Sequence, residues 1–111
     1  MAYDEDLAAR IRDLVADLPG LTEKKMFGGL AFLVGGNMAI AASGEGGIMV
    51  RVPPEQSDAL VSTTKARVAE MRGRLMPGWL LVGREHLSAH SELANWVELG
   101  TGYARSLPAK G

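Results

Sequence analysis

Apolar residues in the first twenty positions recur at helical spacing: Leu7, Ala8, Ile11, Leu14, Val15 and Leu18 share one face. Asp4 is placed to cap this helix, and Glu5 and Asp6 sit favourably at the positive end of its dipole. Pro19-Gly20 stops it, because proline lacks an amide donor and glycine accepts a left-handed exit. From Lys24 to Val52 the helical period gives way to short apolar runs broken by glycine. These runs predict three strands, Lys24 to Val34, Asn37 to Ser43 and Ile48 to Val52, joined as hairpins by Gly35-Gly36 and Gly44-Glu45-Gly46-Gly47. Gly28-Gly29 then falls inside the first strand, where glycine marks a bulge or a close backbone approach. Pro53-Pro54 ends the third strand and opens a short helix through Ser62. Ala66 to Met71 and Pro77 to Val82 predict a further hairpin that turns at Gly73. A last helix follows Ser88, carries Leu93, Trp96, Val97, Gly100, Tyr103, Ala104 and Leu107 on one face, and ends at Pro108. The order is α-β-β-β-α-β-β-α, which predicts a two-layer α+β fold: an antiparallel sheet of about five strands with helices on one face.

The first strand adds a functional hint. Met26, Leu30, Phe32 and Val34 alternate to one side, and Phe27, Ala31 and Leu33 to the other, so both of its faces are apolar. Three helices cover one face of such a sheet. The other, with Phe27, Leu33 and Met49, is an exposed patch unless the sheet curls under its loops or a partner buries it. Self-association with two-fold symmetry is the natural partner arrangement, so a homodimer is expected.

At 111 residues the chain has the size of one domain, and positions 1–111 are read as one. The sequence has no cysteine, which excludes disulfides, thiolate metal sites and a cysteine nucleophile. Thirteen acids oppose twelve bases, a balance that argues against a nucleic-acid coat or a polybasic membrane binder. The acidic N-terminus lacks the positive charge of a secretory signal, and the run from Met26 to Ala42 is broken by glycines before it reaches the roughly 20 apolar residues of a membrane span. A cytoplasmic location is expected, with no membrane partner.

Catalytic signals are sparse. No serine stands in a Gly-x-Ser-x-Gly elbow, and no glycine cluster is followed by Lys-Ser or Lys-Thr as a phosphate loop requires. His86 and His90 have a ligand-like spacing, but Ser88, a helix cap, interrupts the face between them, which leaves two surface histidines. No metal, cofactor or catalytic residue is assigned. Charge is polarised: Asp4 to Asp17 holds five acids and two bases, whereas Lys65, Arg67, Arg72 and Arg74 oppose only Glu70. This basic stretch lacks interleaved aromatic residues for base stacking and has no recognition helix, so strong direct binding to nucleic acid is not expected.

Lys25-Met26-Phe27-Gly28-Gly29, Gly36-Asn37-Met38, Met49-Val50-Arg51-Val52-Pro53, Met76-Pro77-Gly78-Trp79 and the closing helix from Trp96 to Leu107 resemble the TfoX N-terminal domain family along nearly the whole chain. The resemblance implies an α+β domain of the same element order and no catalytic residues. Members include regulators of DNA-transformation competence, in which this domain is joined to a C-terminal helical domain. That second domain does not follow here within the 111 residues. The first expectation is therefore a non-enzymatic regulatory or protein-interaction module. The second is a small-molecule or enzymatic site in a cleft beside Arg51, and the third is weak nucleic-acid binding through Lys65 to Arg74. The candidate interaction residues are Phe27, Leu33, Met49, Arg51, Arg67, Arg72 and Arg74.

Overall fold

The computed structural model describes residues 3–26, 28–44 and 46–108. Helix α1 spans Glu5–Leu14, and Asp4 Oδ1 accepts from the amides of Asp6 and Leu7 at 3.0 and 3.2 Å. This satisfies two of the amides that every helix start leaves without an internal partner. Four strands follow: β1 Leu21–Met26, β2 Gly29–Val34, β3 Asn37–Ser43 and β4 Gly47–Arg51. A 3₁₀ turn, Pro54–Gln56, leads into α2, Ser57–Thr63. Strands β5 Arg67–Met71 and β6 Arg74–Val82 come next, then a second 3₁₀ turn, Arg84–His86, and the long helix α3, His90–Ser106. All strands join one antiparallel sheet in the order β1-β2-β3-β4-β6-β5.

The fold is thus the expected α+β arrangement with one strand more. The stretch from Lys24 to Val34 is two strands that reverse between Met26 and Gly29, which face each other across the β1–β2 ladder. Gly28 lies in that turn with φ +75°, a conformation that side-chain-bearing residues seldom adopt. A Cβ on Gly29 would run into the carbonyl of Ala42 on β3. The glycine pair is therefore needed for two reasons, a left-handed turn and a close approach. The reversal also moves Met26 to the face opposite Leu30, Phe32 and Val34, with Ala31 and Leu33. Phe27 lies outside the described residues. β1 escaped the pattern reading because it is an edge strand whose central Thr22-Glu23-Lys24-Lys25 is exposed, leaving no apolar alternation to see.

The helices pack on one face of the sheet. Leu7, Ile11 and Val15, together with Leu93, Trp96 and Val97 of α3, close over Phe32, Ile40, Ile48, Val50 and Leu80. Helix α3 approaches β3 closely at Gly100, where a Cβ would strike the carbonyl of Ala39. Its end is tied to the β2–β3 turn by buried Asn37, whose Nδ2 donates to the carbonyl of Pro108 at 2.9 Å. At the rim of the sheet Arg12 of α1 meets Glu23 of β1 through two hydrogen bonds of 2.7 and 2.9 Å, and the guanidinium holds the Glu23 carboxyl below its ordinary range.

Candidate functional site

The other face of the sheet carries no helix among the described residues. Its cluster consists of strand residues alone: Ala31, Met38 and Ala41 are buried beneath the half-buried side chains of Met26, Leu33, Met49 and Trp79. Paired residues of an antiparallel ladder point to the same side, so the register completes the picture. Lys24 stands beside Ala31, Arg51 beside Trp79, and Arg67 beside Leu81, which itself pairs with Met49. The face is an apolar strip with positive charge at both lateral margins and at the end of β4.

Arg51 is the most constrained of these cations. Its guanidinium carbon lies 5.1 Å from the ring centroid of Trp79 and 5.6 Å from that of Tyr103 on α3. Two aromatic faces at this range stabilise a cation without consuming its hydrogen-bond donors. Among the described residues no carboxylate pairs with it. Trp79 is presented by a break in the β5–β6 ladder, which passes from Val68↔Leu80 to Ala69↔Met76 and leaves residues 77–79 of β6 unmatched. Gly78, at φ +91°, turns its amide to Ser57 Oγ at 2.5 Å and its carbonyl to the amide of Val52 at 2.8 Å. Ser57 is buried and was invisible as a supporting residue in the sequence, since only the folded chain brings it to a position 21 residues away.

The structure brings Leu33, Met49, Arg51 and Arg67 of the candidate set onto this face. Arg72 and Arg74 lie elsewhere, at the exposed tip of the β5–β6 hairpin, beside Met71 and Leu75 with 41% and 66% of their surface exposed. Five residue steps, roughly 17 Å at about 3.4 Å each, separate Arg67 from Arg72 at that tip. The basic stretch of the sequence is therefore divided over two places in the fold. Of three surface clefts, of about 650, 530 and 540 Å³, the second takes Arg67 into its wall, and Arg51 lines none of the three. His86 belongs to the second 3₁₀ turn and His90 to the start of α3. No three His, Asp or Glu side chains gather as a metal site among the described residues, and no helix among them is long and apolar enough to cross a membrane.

These elements define a two-layer α+β domain with one apolar sheet face that no helix covers among the described residues. Residues 13–104 match the TfoX N-terminal domain, and the chain belongs to that family, which is one of regulatory type. No curated protein and no solved structure gives a significant match to the chain.

Proposed function

We propose that the protein is a non-enzymatic regulatory module that acts by protein–protein contact through the bare face of its sheet, with a second copy of the chain as occupant. The observation that supports this reading is the strip of Met26, Leu33, Met49 and Trp79, large apolar groups that no helix among the described residues covers. Two such faces pack as aligned sheets do, about 10 Å apart, around a two-fold axis. The cations at the margins of the strip give this association a signature. Lys24, Arg51 and Arg67 of two copies repel one another, so salt strengthens the pairing by screening the repulsion. A different protein with an acidic border around an apolar centre would instead be released by salt. Sedimentation velocity over a wide concentration range, at low and high salt, tests the proposal. Concentration-dependent dimers that tighten with salt and disappear in Leu33→Asp support it. A monomer under every condition overturns it.

A further inference from the structure

At the β5 margin of the sheet lies a groove that the interaction reading touches only through Arg67 and its neighbour Leu81. One hollow, of about 650 Å³, opens between the end of α2, the second 3₁₀ turn and the first turns of α3. A second, of about 530 Å³, lies against the start of β4, the start of β5 and the Arg84–His86 turn. The two share Lys65, Val82, Glu85 and His86 as walls, so they form one bent groove. Each half falls within the roughly 300–1,000 Å³ of small-molecule sites.

The halves differ in chemistry. The first offers an apolar wall of Leu60, Trp96 and Leu99, where Trp96 is 94% covered and so fixed in place, and beside it the Asn95 amide. That side chain makes no hydrogen bond within the described residues, whereas the neighbouring hydroxyls of Ser62, Thr63 and Thr64 are already committed to backbone carbonyls. An amide, with a donor and an acceptor side by side, suits the edge of a planar nitrogen heterocycle. The second half is basic. Lys65 and Arg67 have no acidic partner among the described residues, and Arg84, though it meets Asp4 at 3.0 Å, keeps most of its side chain exposed. Against these three cations the hollow sets Glu85, which stands 3.7 Å from His86. Gly46 lines the same wall with open space where a side chain would stand, whereas Gly47 is packed against the Val82 carbonyl of β6. An apolar shelf with an amide at one end, and unpaired cations at the other, match a flat heterocycle joined to an anion.

We infer that this groove binds a nucleoside monophosphate, with the base against Trp96 and Asn95 and the phosphate against Lys65 and Arg67. The assignment shares Arg67 with the margin of the bare sheet face but does not require that face to pair with a second copy. Titration of the full chain with AMP and GMP, followed by amide chemical shifts and by tryptophan fluorescence, tests it, with inorganic phosphate as the second arm. The expected result is saturable shifts in residues 60–67 and 83–96. Removing charge with Lys65→Ala or Arg67→Ala should weaken binding about tenfold each, the usual size of a lost charge-assisted hydrogen bond. Both sites are exposed, and the melting temperature of each variant verifies that it folds. Asn95→Ala should weaken the nucleotides while leaving inorganic phosphate unaffected. Three results overturn the inference: no shifts at millimolar nucleotide, equal affinity for inorganic phosphate, or binding that the three substitutions leave intact.

Discussion

The two faces of the sheet are built from the same strands and differ in what they leave available. On the covered face Phe32, Ile40, Ile48, Val50 and Leu80 are wholly buried, and α1 and α3 fill the space between them. On the bare face the deepest positions are alanines and one methionine, screened only by the side chains that flank them. Burial on the first face comes from shape complementarity between layers, and its energy goes into folding. Burial on the second comes from neighbours within the sheet, so much of its apolar surface is still available to a partner.

Substitutions separate the two most sharply. Phe32→Ala should cost about 3–5 kcal/mol through lost contacts and a cavity. Leu33→Asp, the adjacent residue on the opposite face, should cost about 1 kcal/mol or less while removing self-association. Urea unfolding of both variants measures the difference. Equal destabilisation would mean that the bare face is core.

Helix α3 gives the contrast within one element. Gly100 presses on the Ala39 carbonyl, and Gly102 has open space around it. Gly100→Ala should destabilise by about 1–3 kcal/mol, because the helix must move away from β3. Gly102→Ala should stabilise by about 1 kcal/mol, because it removes only a helix-weakening residue. Thermal unfolding of the pair reads both signs.

Turns extend the contrast to conformation. Arg72 has φ 55° and is the one described residue other than glycine with a positive φ. Asparagine tolerates that region and suits the first position of a two-residue hairpin turn before Gly73. Arg72→Asn should therefore stabilise by up to about 1 kcal/mol, whereas Gly28→Val should destabilise by about 1–2 kcal/mol or more. Chemical denaturation of the two variants measures both shifts. The Gly28 penalty is one of backbone conformation, since no atom of the described residues beyond its chain neighbours would come within 4 Å of its Cβ.

The smallest effect is at the rim. Because Arg12 lowers the folded-state pKa of Glu23, this pair contributes stability that is present above the ordinary glutamate pKa and lost as pH falls through the lowered value. Both groups are substantially exposed, so the contribution is modest and weakens with salt. Glu23→Gln should flatten the acid limb of a stability–pH curve slightly and leave the response above neutral pH unchanged. Urea midpoints from pH 2 to 8 check this.

Much of this arrangement is written in local sequence. The cap at Asp4, the paired glycines at 35–36 and the apolar face of the last helix each depend on residues a few positions apart, and the structure places them as the periodicity implies. The presence of two apolar faces was also legible from Leu30 to Val34. β1 was not, since an exposed edge strand needs no hydrophobic alternation. Neither was the setting of Arg51: its contact with Trp79 depends on β4 lying next to β6, and its contact with Tyr103 on where α3 crosses the sheet. The bent groove draws its walls from seven elements, from β3 to α3, and no spacing rule foretells it.

The charged outer strand β1 has a consequence for how copies of this chain can meet. Its exposed Glu23, Lys24 and Lys25 line an unpaired row of backbone donors and acceptors, where another strand would otherwise add on and carry the sheet from molecule to molecule. At the opposite edge the five residues of β5 are broken by an irregularity at Val68/Ala69. Both borders thus resist strand addition and the ribbon growth it would start, and a chain with Lys24 and Lys25 replaced by valine would lose that protection and be prone to form fibrils.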